Sequence, residues 1–363
     1  MTNSSSANAH GAGSSSTHKF PWKWWLKDLA QVKKNGLTVF SCFACGGGSS
    51  MGYKLAGYDV IGCVEIDPRV MAIYKANNHP KYSFLMDVRE FLEIPNEQLP
   101  PELFHLDVLD GSPPCSVFST AGDREKAWGK DKMFREGQAK QKLDDLFFYY
   151  IRIAQKLQPR VVIAENVSGL IKGNARGYVN EIFKAFDAAG YKAQLFLLDA
   201  RYMGVPQMRE RTFFIAQRKD QHLPKLTLSF TEKAITFGEI RSEHGIPLKK
   251  QNGKMAEMLR RRLPTDYDLG MVTLRETGHK SMFNNRLNHD NRVAYTLTSS
   301  GTPLRMCDGE NLSKHDILAI SSFPQDYDFG DQPPQYVCGM CVPPVMMAQV
   351  ASEINRQWFQ EDK

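Results

Sequence analysis

Between Leu37 and Arg218 the chain alternates short apolar runs with helical patterns, and this alternation restricts the fold more than any other feature. An apolar run of four to eight residues predicts a buried strand, and apolar residues three and four apart predict a helix. Such alternation is typical of a doubly wound α/β sheet, in which ligands bind at the carboxyl ends of the strands. The predicted strands are 37–43, 59–65, 106–110, 160–164, 191–198 and 212–216, and the predicted helices in this part include 140–157 and 178–189.

The alternation ends after Arg218, where glycine, proline and basic clusters replace it. Residues 218–292 carry 15 Lys and Arg residues and nine Asp and Glu residues, which accounts for the whole net charge of +6. A basic surface concentrated in one segment favours a polyanionic partner. The predicted organisation is a disordered tail (1–18), a doubly wound α/β domain (19–218), a smaller domain (219–290) and an ordered C-terminal segment (291–363).

The number and spacing of the cysteines, together with the hydropathy of the sequence, indicate the cellular compartment of the protein. Seven cysteines scattered over 363 residues are typical of a reduced, intracellular protein rather than a disulfide scaffold. The sequence has no secretory signal pattern and no apolar run of about 18 residues. We therefore predict a cytoplasmic protein without membrane contact, and a monomer is the default expectation.

The first predicted strand ends in a glycine-rich turn, 43–52, which lacks the G-x-G-x-x-G spacing of a dinucleotide site and so disfavours a nicotinamide oxidoreductase. A cofactor without a phosphate, such as S-adenosylmethionine, does not require that spacing. Its site needs a carboxylate to bind the ribose hydroxyls and an apolar surface to pack on the adenine. Glu65, which ends the second strand, is placed for the ribose, and Asp87 for the adenine amino group. Ordinary strand-end or helix-cap roles are the alternative for both acids.

Reactive and charged side chains follow three further predicted strands or lead into them. Cys115 comes after the strand 106–110 and two prolines, where a nucleophile belongs in such a sheet. Glu165 ends a buried apolar run, and an unpaired carboxylate there is costly, so a partner or a catalytic role is expected. Arg209 and Arg211 lead into a later strand, and their spacing of two predicts one shared face. The two arginines could form a salt bridge to Glu165, and they could also bind the substrate.

Five blocks of this sequence, in order and spacing, resemble the DNA (cytosine-5) methyltransferases of bacterial or phage type over Leu37 to Asn355. The blocks are Pro114-Cys115, Glu165-Asn166-Val167, Arg209-Glu210-Arg211, Phe323-Pro324-Gln325-Asp326-Tyr327 and Gly339-Met340-Cys341-Val342-Pro343. The resemblance implies an S-adenosylmethionine-dependent, Rossmann-like α/β fold with a doubly wound mixed sheet. It also implies that residues 19–218 are a cofactor-binding catalytic domain, to which residues 291–363 return, and that residues 219–290 are a target-recognition domain that binds double-stranded DNA.

The same resemblance implies a role for each matched residue. Cys115 would add to carbon 6 of a cytosine flipped out of the duplex, and Glu165 would stabilise the ring at nitrogen 3. Arg211, together with Arg209, would hold the carbonyl oxygen of the base and orient Glu165. The residues implied to bind the cofactor are Phe43, Ala44, Gly47, Gly48, Glu65, Ile66, Asp87, Pro113 and Val342. The residues implied to contact DNA are Ser119, Asn166, Arg292 and Thr302.

Three residues depart from the family pattern. Ser41 stands where the family usually has Asp, Cys45 where it has Gly, and Met340 where it has Asn. Cys45 adds a side chain where the backbone needs positive φ, and Met340 removes a polar contact near the cofactor, so we expect altered or weaker cofactor binding rather than loss of activity. The C-terminal helix is expected to pack beside the first strand and complete the cofactor pocket.

Several alternatives stay open at this point. A tRNA cytosine-5 methyltransferase would carry the same motifs, and the basic segment favours DNA only modestly. A catalytically inactive nucleic-acid-binding module on the same fold is disfavoured because Cys115 and Glu165 are intact. The pairs Cys42/Cys45 and Cys338/Cys341 have zinc-ligand spacing, but cofactor binding already explains both segments, so no metal is predicted. The sequence leaves open whether a cognate restriction endonuclease exists.

Overall fold

The computed structural model describes residues 18–114, 146–171, 176–279 and 284–360. Within these ranges, a seven-stranded sheet forms the centre of the fold. The strands of the described chain are β1 (Thr38–Cys42), β2 (Asp59–Glu65), β3 (Tyr82–Leu85), β4 (Val108–Gly111), β5 (Val161–Val167), β6 (Tyr191–Asp199), β7 (Gln207–Met208), β8 (Glu210–Arg218), β9 (Leu287–Asn288), β10 (Ala294–Tyr295) and β11 (Leu304–Arg305).

The order of the central sheet is β3-β2-β1-β4-β5-β8-β6, and β8 runs antiparallel to both of its neighbours while the other pairs are parallel. The predicted doubly wound mixed α/β sheet is therefore confirmed. The strand order reverses between β1 and β4, and in open sheets of this kind the crevice at that point is where ligands bind.

Helices cover both faces of the sheet. They are α1 (Gly48–Leu55), α2 (Pro68–Asn78), α3 (Val88–Glu93), α4 (Leu146–Leu157), α5 (Arg176–Ala188), α6 (Phe237–Ile240), α7 (Lys254–Arg260), α8 (Leu269–Thr277), α9 (Lys314–Ile320), α10 (Pro334–Met340) and α11 (Pro344–Ile354). Local chemistry fixes their starts. Proline is the first residue of α2, as its fixed φ favours, and the Ser313 side chain caps α9 by accepting from the amide of Asp316.

Strand β5 shows why the sequence pattern of a buried strand is continuous rather than alternating. Val161 and Ile163 pack into the core on one face of the sheet, whereas Val162 and Ala164 pack into the core on the other. Because successive side chains of a strand point to opposite faces, a strand covered on both sides is apolar throughout.

The C-terminal helix packs on the helix that follows the first strand. Helix α11 lies against α1, and its residues Met347 and Val350 share a core with Val39 of β1. A Cβ atom on Gly52 would collide with the main chain at Pro344 and would lie 2.6 Å from the Cβ of Met347. Glycine therefore allows the two helices to approach closely. By length and composition the stretch Pro334–Phe359 could cross a membrane, but 78% of its most apolar window is buried inside the protein, as in a core helix.

The segment before β1 is attached to the C-terminal elements. Trp24 is 1% exposed, and its indole nitrogen donates to the carbonyl of Ser322 at 2.9 Å. Residues Leu26–Gln31 form a 3-10 helix. His18 was predicted to end the disordered tail, but its ring nitrogen lies 2.9 Å from the Glu232 carboxylate, so His18 itself is held against the protein.

The region after Arg218 divides between two cores. Residues such as Leu226 and Phe237 belong to the main core. A separate small core contains residues of α7 and α8 together with Leu287 and Leu304. This small core crosses the predicted boundary at residue 290, because Leu304 lies beyond it. The division into a catalytic and a recognition domain remains a prediction.

Candidate active site

The carboxyl ends of β4 and β5 lie side by side and bring the two central motifs together. Gly111, the last residue of β4, is in register with Ala164, and Glu165 is the next residue of β5. Asn166 fixes the segment that leaves β4, because its side-chain amide donates to the carbonyl of Pro113 at 3.0 Å. Asn166 is 5% exposed. This contact gives Asn166 a positioning role, and its predicted direct contact with DNA remains a prediction.

Two predicted residues fall outside the part of the chain that the structure describes. These are Cys115, the predicted nucleophile, and Ser119, the predicted phosphate contact. The described segment before them ends at Pro114, and Pro113 within it is buried. The Asn166 contact therefore anchors the main chain two residues before Cys115.

Glu165 and Arg211 form a buried ion pair. The Nε atom of Arg211 lies 2.9 Å from Oε1 of Glu165, and the two side chains are 14% and 8% exposed. Burial lowers the pKa of the Arg211 guanidinium, and the Glu165 carboxylate acts in the opposite direction. The guanidinium also donates to the carbonyl of Glu210 at 2.7 Å. Arg211 thus holds the Glu165 carboxylate in a fixed orientation near the carboxyl end of β5. This is the salt bridge that the sequence predicted for one of the two arginines.

Arg209 does not share this face, and the structure corrects the expectation that both arginines orient Glu165. Its guanidinium is 1% exposed and donates to the carbonyl oxygens of Leu297, Gly339 and Cys341 at 3.0, 3.1 and 3.0 Å. The spacing argument failed because Arg209 lies in the break between β7 and β8, where strand alternation does not continue. Arg209 instead joins the closing block 339–343 to the sheet.

The glycine turn after β1 has the backbone that a close approach requires. Cys45 has φ of 48° and Gly47 has φ of 85°, so the positive φ predicted for Cys45 is confirmed. A Cβ atom on Gly47 would collide with the side chain of Asn78, and one on Gly48 would collide with the carbonyl of Val342. Only glycine fits at these two positions. Val342 is therefore brought against the turn that contains Ala44, Gly47 and Gly48.

Glu65 supports this turn from the end of β2. Its Oε2 atom accepts from the amide of Cys45 at 2.8 Å, and its Oε1 atom accepts from the amides of Ile66 and Asp67 at 2.9 and 3.0 Å. Burial raises the pKa of this carboxyl group. The side chain of Ile66 is 42% exposed. A carboxylate and an exposed apolar side chain thus lie next to the turn.

The remaining predicted cofactor residues differ in how they are held. Phe43 is partly buried, and its ring centroid is 6.4 Å from that of Tyr150. Asp87 caps α3 and pairs with Arg89, with an Oδ2–Nη2 distance of 2.6 Å. Although burial opposes it, Arg89 lowers the pKa of Asp87. The helix-cap alternative for Asp87 is therefore present in the structure, and its contact with adenine remains a prediction.

Asp110 is the residue of this site whose role the sequence reasoning missed. Its carboxylate is 1% exposed and accepts from Ser41, Ser49 and Tyr53 at 2.9, 2.8 and 3.2 Å. Ser41 and Asp110 are also register partners in β1 and β4. The carboxylate that the family pattern places at position 41 is thus supplied by the neighbouring strand. A charged residue inside an otherwise apolar strand was the available signal.

Replacing Asp110 with asparagine is expected to change how stability depends on pH. Burial raises the pKa of Asp110 to about 6, so between about pH 4 and 6 the folded protein binds a proton that the unfolded chain has released. The wild-type free energy of unfolding should therefore fall with rising pH across this window, relative to the variant, by about 3 kcal/mol. Urea unfolding at pH 4, 5, 6 and 7 measures the difference. Parallel curves for the two proteins would contradict this role.

The predicted DNA contacts outside the sheet are only partly supported by geometry. Arg292 is exposed and Thr302 is half-buried. Several arginines of the basic segment are already ion-paired: Arg275 with Asp266, Arg261 with Glu276 and Arg286 with Asp268. Each pair neutralises one carboxylate as well as one arginine, so the net positive charge of the segment is unchanged, and exposed lysines such as Lys249 and Lys250 carry part of it.

Comparison with known proteins places this site in a family. A family model described as C-5 cytosine-specific DNA methylase matches residues 37–356. The Type II methyltransferase M.NgoPII of Neisseria gonorrhoeae is 36% identical over 200 residues, which cover 54% of this chain and 52% of that protein. M.FnuDI of Fusobacterium nucleatum is 33% identical over 187 residues, covering 52% and 48%. The chain thus spans about half the length of these curated relatives.

Solved structures share the fold at low sequence identity. A candidate DNA modification methyltransferase encoded within an E. coli prophage has a TM-score of 0.64 at 18% identity, covering 89% of this chain and 99% of that chain. A DNMT2 variant from Spodoptera frugiperda has a TM-score of 0.56 at 15% identity, covering 88% and 99%. The family match extends over most of the chain and includes every block named above. The chain therefore belongs to the C-5 cytosine-specific DNA methylases.

Proposed function

We propose that this chain transfers a methyl group from S-adenosylmethionine to carbon 5 of a cytosine in duplex DNA, with Cys115 as the covalent nucleophile. The observation that carries the proposal is the buried Glu165–Arg211 ion pair, one strand away from the segment that leads to Cys115. A carboxylate held by a guanidinium in a buried site can interact with one edge of a pyrimidine while a thiolate reaches its ring carbon. Membership of the family supports this reaction class.

The described residues fit the proposed cofactor. The Oε2 atom of Glu65 accepts one amide hydrogen, and a carboxylate oxygen has a second lone pair for a ribose hydroxyl. Ile66 offers exposed apolar surface to adenine, and it lies next to the glycine turn, where Gly47 has a positive φ of 85°. When bound, S-adenosylmethionine supplies the methyl group as an electrophilic sulfonium.

The chain's own residues would prepare the base for methylation. Carbon 5 of cytosine is a weak nucleophile, and addition of the Cys115 thiolate to carbon 6 would turn the ring into an enamine. Glu165 would hydrogen-bond to ring nitrogen 3 and stabilise the charge that develops there. Arg211 would hold Glu165 in position and stabilise the base carbonyl. Because carbon 5 is inaccessible within the duplex stack, the cytosine must be flipped out.

The substrate class is tested by direct comparison of two nucleic acids. Purified protein is incubated with S-adenosylmethionine labelled at the methyl group and with either duplex DNA or tRNA. The proposal predicts incorporation into duplex DNA and little into tRNA, and bisulfite sequencing of DNA from expressing cells should show protected cytosines in one sequence context. Transfer to tRNA alone would assign the chain to the RNA alternative. Cofactor binding with transfer to neither would support an inactive binding module.

Replacing Glu165 with glutamine is expected to lower the rate of methyl transfer by a factor of about 10²–10⁴, the usual contribution of a general acid or base. Glutamine keeps the shape but cannot deliver a proton to nitrogen 3. Single-turnover transfer to duplex DNA measures the effect. Glu181→Gln is the matched control, because Glu181 is 57% exposed and pairs only with Lys184 among the described residues. A Glu165→Gln variant as fast as this control would remove Glu165 from the mechanism.

A further inference from the structure

A tyrosine hydroxyl from the C-terminal part of the chain reaches the glycine turn. Tyr327 is 0% exposed, and its hydroxyl donates to the carbonyl of Gly46, which lies 281 residues earlier in the sequence. The side-chain amide of Asn78, the last residue of α2, donates to the same hydroxyl oxygen at 3.3 Å. A Cβ atom on Gly47 would collide with this amide and would lie 3.0 Å from the hydroxyl oxygen. Both side chains therefore lie against the turn.

The turn needs support from outside because part of its backbone is strained. Cys45 has φ of 48°, and this left-handed conformation is unfavourable for a residue that has a Cβ atom. Such a conformation persists where the surrounding contacts hold it in place. The amide of Cys45 donates to the Glu65 carboxylate at 2.8 Å, and the carbonyl of Gly46 accepts from Tyr327. The strained residue is thus held on one side from β2 and on the other side by the tyrosine.

The ring and the main chain of Tyr327 are themselves firmly held. The ring centroid lies 5.0 Å from that of Phe323 and 5.3 Å from that of Phe329. The next residue, Asp328, is attached to α2, because its amide donates to the side chain of Asn77 at 2.9 Å and its carbonyl accepts from that side chain at 2.7 Å. The hydroxyl group therefore has little freedom to move away from the turn.

The direction of the two hydrogen bonds follows from the groups that take part. A phenol hydroxyl has one hydrogen to donate, and the carbonyl of Gly46 can only accept, so the hydrogen of Tyr327 goes to that carbonyl. Asn78 must then present its NH₂ group, as it does. Burial raises the pKa of Tyr327 well above its usual range, so the hydroxyl keeps its hydrogen at any pH at which the protein is folded.

We propose that Tyr327 is a positioning residue of the cofactor site, whose hydroxyl holds the glycine turn in the conformation that binds S-adenosylmethionine. This inference rests on the proposed function, because it requires that the turn hold the cofactor. A turn that is already in its bound conformation loses less conformational freedom when the ligand binds. Without the hydroxyl, the strain at Cys45 favours other conformations of the turn, and the apparent affinity falls with the fraction of molecules that remain competent.

Replacing Tyr327 with phenylalanine removes the hydroxyl and keeps the ring that packs on Phe323 and Phe329. We expect the dissociation constant for S-adenosylmethionine to rise by a factor of about 3–10, the usual effect of one lost hydrogen bond. The KM for the cofactor should rise in parallel. The rate of methyl transfer at saturating cofactor should stay within about twofold of wild type, because the hydroxyl does not act on the reacting atoms.

Tyr58→Phe is the matched control. Tyr58 is also 0% exposed, and its hydroxyl also donates to a main-chain carbonyl, that of Ala351 in α11, at 2.9 Å. Calorimetry measures binding of S-adenosylmethionine to both variants of the full chain, and urea unfolding measures their stability. Both should lose similar stability, but only Tyr327→Phe should bind the cofactor more weakly. Asn78→Ala, which removes the donor to the hydroxyl oxygen, should raise the dissociation constant by a smaller factor of about 2–3.

The outcomes separate this proposal from the function on which it rests. A folded Tyr327→Phe variant that binds S-adenosylmethionine as tightly as wild type would overturn it, and so would an equal loss of affinity in Tyr58→Phe. If Tyr327→Phe did not fold, unchanged affinity in Asn78→Ala would overturn it. Failure of the proposed function has a different signature, because the wild-type protein itself would then bind no S-adenosylmethionine.

Discussion

Replacing Cys115 with serine is expected to abolish methyl transfer and to leave cofactor binding intact. A serine hydroxyl remains protonated at neutral pH and is a far weaker nucleophile than a thiolate, so it cannot add to carbon 6 of cytosine. Serine has nearly the same shape as cysteine, so the substitution should not disturb the sheet. Labelled-methyl transfer to duplex DNA and calorimetric binding of S-adenosylmethionine measure the two effects.

Cys307→Ser is the matched control for this prediction, because Cys307 is exposed and far along the chain from the catalytic motifs. The control should keep wild-type activity. Full activity of the Cys115→Ser variant would contradict the covalent mechanism. Equal loss in both cysteine variants would show that the assay responds to general damage rather than to the nucleophile.

Replacing Arg209 with methionine is expected to destabilise the fold by about 3–5 kcal/mol. The substitution removes the hydrogen bonds that the guanidinium donates to the carbonyls of Leu297, Gly339 and Cys341. A buried acceptor left without a partner costs about 1–3 kcal/mol. The closing block 339–343 would lose its attachment to the sheet. Equilibrium unfolding in urea, with cofactor absent, measures the change.

Arg201→Met provides the control for Arg209. The Arg201 guanidinium pairs with Asp199 at a half-exposed position, with an Nε–Oδ2 distance of 2.9 Å, and surface pairs of this kind contribute about 0–1 kcal/mol. Arg211→Met should differ from both in lowering the rate of methyl transfer more than stability. If Arg209→Met unfolded at the same urea concentration as Arg201→Met, the positioning role of Arg209 would be wrong.

The sequence predicted the sheet well because burial leaves a clear pattern in its strands. Strand β5 is apolar on both faces, and it was found at 161–167 against a prediction of 160–164. The predicted strand 212–216 is only the middle of β8, because polar residues at its ends still pair with neighbours. Hydropathy gives no strand direction, so the antiparallel course of β8 could not be read from it.

The small core after residue 219 was hidden for a different reason. Helices α7 and α8 have seven and nine residues, and helices this short show too few turns for a reliable period. Their apolar residues pack on Leu287 and Leu304, which follow in later, separate segments of the chain. A core assembled from such distant pieces becomes visible only in three dimensions.

Site residues were predictable where an unpaired buried charge would be costly, and less so where their partners lie far away in the sequence. A carboxylate at the end of a buried strand needs a partner, and Glu165 has one in Arg211. Arg209 was misjudged because its partners are main-chain carbonyls about 90 to 130 residues away. Asp110 was missed because its donors Ser41 and Ser49 belong to other elements. Neither set of partners can be read from a local pattern, although the charge of Asp110 within a buried strand indicates that it has partners.

The covalent step can be observed directly with duplex DNA that contains 5-fluorocytosine at the methylated site. Fluorine at carbon 5 cannot leave as a proton does, so a thiolate that has added to carbon 6 stays attached once the methyl group is transferred. The proposed mechanism predicts a denaturation-resistant protein–DNA adduct that requires S-adenosylmethionine, maps to Cys115 and is absent in Cys115→Ser. Methylation of ordinary cytosine without any such adduct, or an adduct at another residue, would contradict it.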